Sequence, residues 1–129
     1  MDERALLSVD ERMVLSQVLE ALDGELIGDH SACLQPEFTT CFAADLMSEV
    51  LAFCAPGALL VTGLANVQSV HTAHVADLKG ILFVNDKRPG PEVIRLAAQQ
   101  RIPLLTTRLT MFAACGILYG RGLTPALKP

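Results

Sequence analysis

The chain has 129 residues, of which 51% are hydrophobic and 19% are charged, and this composition predicts one globular domain over residues 1–129 rather than a disordered chain. A formal net charge of −4 excludes a general nucleic-acid-binding protein, which needs a basic surface. No apolar run is long enough to cross a bilayer, and MDERALLSVDER is acidic and lacks the basic start of a secretory signal. We therefore expect a cytoplasmic protein without a nucleic-acid or membrane partner.

The first predicted helix begins at a capping-box pattern, in which Glu11 follows Ser8 by three residues. Apolar residues then recur at helical spacing as far as Leu22, and Gly24 suits the end of the helix. The next segment, ELIGD, is a short strand candidate that we place at an edge of the sheet. A loop, HSACLQPEFTT, follows it, because Pro36 disfavours helix in the preceding residue.

The segment TCFAADLMSEVLAFCAPG has the clearest helical pattern of the chain. Its apolar residues form one stripe along a helix, namely Ala43, Leu46, Met47, Val50, Leu51 and Cys54. Asp45 and Glu49 lie on the opposite face of that helix. We interpret them as a solvated acidic surface, because paired carboxylates do acid–base work only in a cleft that shifts their pKa values.

The four cysteines are Cys33, Cys41, Cys54 and Cys115, and no two of them have the spacing of a zinc or redox pair. We expect free thiols, and the apolar neighbours of three of them are typical of small buried side chains. Cys41 falls in the first turn of the predicted helix, where a thiolate is stabilised. It is therefore the one cysteine with a candidate reactive role.

Three short apolar runs, ALLVTG, GILFVN and IPLLTT, lack alternation and predict strands that are covered on both faces. Each run precedes a helical segment, and these segments are NVQSVHTAHVADLKG, PEVIRLAAQQR and LTMFAACGILYGRGL. Asn66 and Thr110 are the predicted caps of the first and third helices, and Pro91 opens the second. This alternation predicts an α/β fold, a three-layer sandwich with a mostly parallel sheet of about four strands and helices on both faces.

Polar and basic side chains follow each of the three predicted strands, where parallel α/β sheets bind their ligands. They form a candidate site for an anion or a nucleotide, and comprise Thr62, Gly63, Asn66, Asn85, Lys87, Arg88, Thr106, Thr107 and Arg108. The alternative, that these residues belong to ordinary solvated crossover loops, stays open. We also expect Gly63 to allow a tight turn through a positive φ. The sequence has no phosphate-binding glycine loop and no nucleophile elbow, so we predict no catalytic residue and no cofactor.

Two histidines, His71 and His74, lie three residues apart and share one face of a predicted helix. A metal ion needs three or four converging ligands, so this pair does not predict a metal site. On a helical wheel both imidazoles fall on the apolar side, beside Val67, Val70 and Leu78. We therefore expect them to be packed, hydrogen-bonded or placed at a subunit contact.

The stretches CFAADLMSEVLAF and ALLVTGLANVQSVHTAHVADLKGILFVNDKRPGPEVIRLAAQQRIPLLTTRLTMFAACGILY resemble the DRTGG domain family, over roughly Gly24 to Gly122. The chain looks most like the small stand-alone members, in which this domain is the whole protein. The Gly-Asp-Arg-Thr-like corner of the family reads GLAN here, from Gly63 onwards, and the Gly-Gly corner reads VND from Val84, so only Gly63 matches.

Relatives of this fold occur in the N-terminal domain of HPr kinase/phosphorylase and in the middle region of long phosphotransacetylases, and in both the domain is not the catalytic part. The resemblance therefore implies a non-catalytic regulatory or protein-interaction module that commonly self-associates. We expect a homodimer here, and a further protein partner is compatible with this role. The helix residues expected in the dimer contact are Val67, Val70, His71, His74, Leu78, Met111, Phe112 and Leu118. The alternative function is a small-ligand sensor that binds a nucleotide or a phosphorylated metabolite at the carboxyl ends of the strands.

Overall fold

The computed structural model describes residues 12–28 and 36–129, and the predicted capping box of Ser8 and Glu11 lies outside them. The described helices are α1 Leu15–Ala21, α2 Met47–Phe53, α3 Val67–Val75, α4 Pro91–Gln100 and α5 Met111–Gly120. The described strands are β1 Met13–Val14, β2 Glu25–Ile27, β3 Glu37–Phe38, β4 Thr40–Ala43, β5 Leu59–Thr62, β6 Gly80–Phe83, β7 Leu104–Thr106 and β8 Thr124–Pro125. Among these residues, every helix is too short or too polar to span a membrane.

Six strands form the main sheet, in the order β2-β7-β6-β5-β4-β8. Strand β2 lies at one edge, as predicted from the sequence, and pairs antiparallel with β7, whereas all other neighbours in this sheet are parallel. Strands β1 and β3 form a separate two-stranded antiparallel sheet. The predicted α/β fold with a mostly parallel sheet is confirmed. The sheet has more strands than the predicted four because β4 and the two-residue β8 join it.

Helices cover both faces of the main sheet, which gives the predicted three layers. Helices α2, α3 and α4 pack on one face through a core that includes Val50, Val70 and Val93. Helices α1 and α5 pack on the other face through a second core that includes Val18 and Leu118. All four residues of β5 and all four of β6 are buried, because each strand is covered on both sides.

The predicted long helix over TCFAADLMSEVLAFCAPG is wrong in its first part, because Thr40–Ala43 is strand β4. These residues pair in parallel with β5, so Cys41 lies opposite Leu59 in the sheet rather than in a helical turn. Burial raises the pKa of the Cys41 thiol to about 12, with a smaller contribution from the neighbouring Cys115. The reactive thiolate considered for Cys41 is therefore contradicted by its surroundings. Helix α2 begins only at Met47.

The three later helices begin where the sequence predicted. Asn66 and Thr110 cap α3 and α5 through their side chains, and Pro91 is the first residue of α4. His71 and His74 are both exposed, so they are not packed within this chain, and the alternative of a subunit contact stays a prediction. Helix α3 lies between α2 and α4, so its buried stripe is set by the contacts with these two neighbours and runs through Ser69, Val70, Thr72 and Ala73.

Candidate ligand-binding site

The carboxyl ends of β4, β5, β6 and β7 lie side by side at one end of the strands, because these strands are parallel neighbours. We call this end of the sheet the carboxyl edge, as distinct from its outermost strands. It carries two crossover loops that the sequence analysis singled out. The first corner, residues 62–66, joins β5 to α3, and the second corner, residues 84–90, joins β6 to α4.

The first corner is closed by a carboxylate that follows the neighbouring strand β4. Asp45 Oδ1 accepts a hydrogen bond of 2.7 Å from the Gly63 backbone N–H and one of 3.0 Å from the Thr62 hydroxyl. The Thr62 Oγ1 in turn accepts a hydrogen bond of 3.1 Å from the Leu64 N–H. Asp45 was interpreted from sequence as part of an exposed helix face. It instead lies in the loop before α2 and supplies the anion that this corner binds.

Asn66 binds two further donors next to the first corner, at the start of α3. Its Oδ1 accepts hydrogen bonds from the backbone N–H groups of Gln68, at 3.0 Å, and Ser69, at 3.3 Å. These are the N–H groups at the start of α3 that an incoming phosphate would need. A phosphate at this corner would therefore compete with the side chain of Asn66 and with the nearby charge of Asp45.

Gly63 does not have the positive φ that we expected from its place in a tight turn. The described glycines in the left-handed region are Gly28, Gly57 and Gly122. A Cβ atom at Gly63 would lie 3.5 Å from Asp45 Oδ1, which is an ordinary contact distance. A substitution at Gly63 therefore meets no backbone strain of the left-handed kind.

The second corner is built differently: two of its residues have a left-handed backbone conformation, and their N–H groups are hydrogen-bonded to the next loop. Asn85 and Asp86 have φ values of 59° and 55°. Their N–H groups each donate a 2.8 Å hydrogen bond, to the carbonyls of Leu109 and Thr107 respectively. The backbone of residues 84–90 is thereby fixed against the loop that leads from β7 to α5, while the side chains of Asn85, Asp86 and Lys87 remain exposed.

The two threonines at the end of β7 are buried and serve the fold rather than a ligand. The Thr106 hydroxyl donates to the Lys87 carbonyl at 2.9 Å. The Thr107 hydroxyl donates to the Leu22 carbonyl at 2.8 Å and accepts from the Leu109 N–H at 3.2 Å. Among the described residues, every buried side-chain nitrogen or oxygen has a hydrogen-bond partner. The predicted hydroxyl ligands are thus committed to internal bonds.

The basic residues of the carboxyl edge divide into one that is paired and two that are not. Arg88 donates to both carboxylate oxygens of Glu25, at 3.1 and 3.3 Å, and to Asp86 at 3.3 Å. The Arg88 guanidinium holds the pKa of Glu25 below its usual value, and the charge of Arg108 adds to this effect. Lys87 and Arg108 are exposed and take part in none of the ion pairs of the described chain. They are the cations that this edge offers to an anion.

The described residues contain no cluster of three histidine, cysteine or acidic side chains that suits a metal ion. They do contain a cavity of about 740 Å³ at the opposite edge of the sheet, which the sequence analysis did not predict. We call it the amino-edge groove, and its polar lining comes from His74, Asp77, Lys79, Gln100 and Arg101. The only signal for it in the sequence is the charged residues that follow α3 and α4, and such residues also follow helices that bind nothing.

A family model of the DRTGG domain matches residues 17–119. The chain belongs to the DRTGG domain family. This confirms the resemblance seen in the sequence. Among solved structures, the DRTGG chain is similar to the CBS and DRTGG domains of the regulatory region of Clostridium perfringens pyrophosphatase, complexed with the activator diadenosine tetraphosphate. The TM-score is 0.72 at 16% sequence identity, over 94% of this chain and 52% of that one. The DRTGG chain thus spans about half the length of that regulatory region, and the likeness is one of fold.

Proposed function

We propose that this DRTGG chain is a regulatory, protein-interacting module with no catalytic centre of its own, which self-associates and works as a single domain in the cytoplasm. The observation that carries the proposal is the outward surface of α5. Phe112 is 90% exposed and Tyr119 is 72% exposed, although no residue of this helix is charged. Large apolar side chains left in water on one surface are typical of a site that binds another protein.

Two further observations support a regulatory role rather than an enzymatic one. At the first corner, the Thr62 hydroxyl and the Gly63 N–H are bonded to Asp45, and the N–H groups of Gln68 and Ser69 are bonded to Asn66, so these groups are not available to orient a substrate. The similar solved structure is itself a regulatory region, in which a DRTGG domain accompanies CBS domains in a complex with an activator.

Self-association is tested by sedimentation equilibrium of the whole chain over a range of concentrations. We expect a mass that approaches twice 13.8 kDa as the concentration rises. A mass of 13.8 kDa throughout would contradict the dimer. Repeating the measurement with His71 and His74 both replaced by alanine distinguishes two surfaces. A contact through these residues on α3 would weaken in this variant, whereas a contact through α5 would not.

The second candidate function is that of a sensor for a nucleotide or another phosphorylated small molecule. The observation that favours it is the pair of exposed cations, Lys87 and Arg108, on two adjoining loops of the carboxyl edge. The loops are connected by the backbone hydrogen bonds from Asn85 and Asp86, which would hold both cations on one side of a phosphate. The complex of the similar regulatory region with diadenosine tetraphosphate supports a ligand of this class.

A thermal-shift experiment tests the sensor with diadenosine tetraphosphate, ATP and inorganic phosphate as probes, since binding to the folded state raises the melting temperature. We expect a polyphosphate to raise the melting temperature of the wild type and to lose most of that effect in Lys87→Ala and Arg108→Ala. Arg95→Ala is the control, because Arg95 is exposed on α4 away from this edge. A shift that survives both substitutions but is lost in Arg101→Ala would move the site to the amino-edge groove.

A further inference from the structure

Helix α5 differs from an ordinary surface helix because its ten residues, MFAACGILYG, include no charged side chain. A helix that is apolar all round is normally buried all round. Here Ala114 and Leu118 are buried in the core below, while Phe112 and Tyr119 point into water. The composition of α5 is therefore that of a helix covered on two sides, whereas the described part of the chain covers only one side of it.

The exposed side of α5 combines two rings with small residues, and we call it the α5 outer face: Phe112, Ala113, Gly116, Tyr119 and Gly120. Phe112, Gly116 and Tyr119 share one side of the helix, since they follow one another by four and three residues. Gly116 and Gly120 are exposed, and a Cβ atom at either would meet no other atom within 4 Å. Nothing in the described chain thus requires glycine at these positions, although glycine destabilises a helix relative to alanine.

We propose that the α5 outer face binds the same face of a second copy of this chain, with Gly116 of one copy against Gly116 of the other. The inference rests on the self-association proposed above and names its surface. A two-fold contact requires a patch that is complementary to itself. The rings of Phe112 and Tyr119 project from this patch. Gly116 and Gly120 have no side chain and leave depressions in it, so a ring of one copy fits into a depression of the other.

The two exposed rings supply part of the area that this contact needs. A phenylalanine or tyrosine side chain buries about 150–250 Å² when it is covered. With 90% and 72% of their surface exposed, Phe112 and Tyr119 together would bury about 300 Å² on each copy. A stable interface of standard size buries about 800 Å² per partner, so the two rings supply a substantial share and the surrounding helix surface supplies the rest. The absence of charge on α5 means that two copies of a chain with net charge −4 bring no like charges together at this centre.

The first test replaces Gly116 by a residue that favours helix but blocks the contact. Gly116→Gln adds a side chain where the single chain has open space, so folding of the monomer does not suffer. We expect this variant to raise the dimer dissociation constant by about thirty-fold or more in sedimentation equilibrium, with no fall in the melting temperature of dilute protein. Ala52→Gln is the matched control, because Ala52 is exposed on α2 at the other face of the sheet.

Tyr119 is the only tyrosine and the chain has no tryptophan, so the intrinsic fluorescence of the wild type also reports this contact on dilution.

The second test uses the two-fold symmetry directly. Gly116→Cys places a thiol opposite its own copy, and a disulfide forms when the two Cα atoms lie within about 7 Å. We expect a covalent dimer under mild oxidation with Gly116→Cys and none with Ala52→Cys. A wild-type chain that is monomeric at all concentrations would overturn both this contact and the proposed self-association, and would leave the face to a segment of the same chain. A wild-type dimer that is unaffected by Gly116→Gln and gives no cross-link with Gly116→Cys would overturn only the α5 contact.

Discussion

The two corners of the carboxyl edge look alike in sequence and differ in structure. Each follows a buried strand, carries an asparagine and leads into a helix. At the first corner, Asp45 and Asn66 accept hydrogen bonds from the Thr62 hydroxyl and from three backbone N–H groups. At the second corner, the backbone is fixed by Asn85 and Asp86, while Lys87 is left exposed without an ion pair among the described residues. We call the first corner closed and the second open in this sense only.

The difference arises from a strand that is distant in sequence. Asp45 follows β4, which pairs with β5, so its carboxylate reaches Thr62 and Gly63 across 17 and 18 positions of the chain. The neighbour of the second corner is the loop after β7, which brings Arg108, while the carboxylates of this corner, Glu25 and Asp86, are both bonded to Arg88. A strand-to-helix loop therefore gains or loses its capacity for an anion from the loop beside it. Its own residues contribute, as Asn66 does, but do not decide this alone.

Removing Asp45 has the largest expected effect on this comparison. Asp45→Ala leaves the Gly63 N–H and the Thr62 hydroxyl without their acceptor, and hydrogen bonds to a charged group stabilise more than neutral ones. We expect a loss of about 2 kcal/mol in the free energy of unfolding, measured by urea denaturation. Glu49→Ala is the control, because this carboxylate is exposed on α2, and we expect it to stay within about 0.5 kcal/mol of the wild type. Equal losses in the two variants would mean that Asp45 does not close the first corner.

Replacing Asn66 has the next largest effect. Asn66→Ala removes the acceptor for Gln68 N–H and Ser69 N–H at the start of α3, and the loss of such a cap costs about 1 kcal/mol. Asn66→Asp keeps an acceptor at the same place, so its unfolding free energy should remain close to that of the wild type. If Asn66→Asp were as unstable as Asn66→Ala, the role of Asn66 as the cap of this corner would be wrong.

Much of the fold was predictable because its central strands are strongly patterned. The runs around β5, β6 and β7 are apolar on both faces, and the caps Asn66, Pro91 and Thr110 act locally, so a few adjacent residues determine them. Strand β4 was missed because its four residues continue into a helical pattern, and its pairing with β5 is a tertiary contact. The same limit applies to the histidines, since the packing of α3 between α2 and α4 decides which of its residues are buried.

The candidate site was predictable in place but not in detail. That the carboxyl edge carries Thr62, Lys87 and Arg108 follows from strand order alone. That Thr62 is bonded to Asp45, and Arg88 to Glu25, depends on partners 17 and 63 positions away. Such partners have no local signal in a single sequence. The choice between a closed corner and an open one therefore needed the structure.

The smallest expected effect concerns the one cation of the second corner that is paired. The bond between Arg88 and Glu25 is about half exposed to solvent, with 50% and 61% of the two side chains accessible, so salt screens it and its contribution to stability is small. Because Arg88 lowers the pKa of Glu25 in the folded state, from its ordinary value of 4.5, the stabilisation is fully present above that value. It is lost as the pH falls through the lowered pKa of the folded state.

Glu25→Gln tests this bond and the openness of the second corner together. Its urea midpoint should lie slightly below that of the wild type at neutral pH, and the gap should close on acidification, with Glu20→Gln on the surface of α1 as the control that shows no gap. Loss of Glu25 also leaves Arg88, beside Lys87 and Arg108, with Asp86 as its one remaining carboxylate partner among the described residues. A polyphosphate should therefore raise the melting temperature of Glu25→Gln more than that of the wild type. A midpoint gap that persists or widens in acid would contradict the bond, because protonated Glu25 no longer attracts Arg88. An unchanged polyphosphate shift would mean that Arg88 takes no part in binding an anion, and that the open corner consists of Lys87 and Arg108 alone.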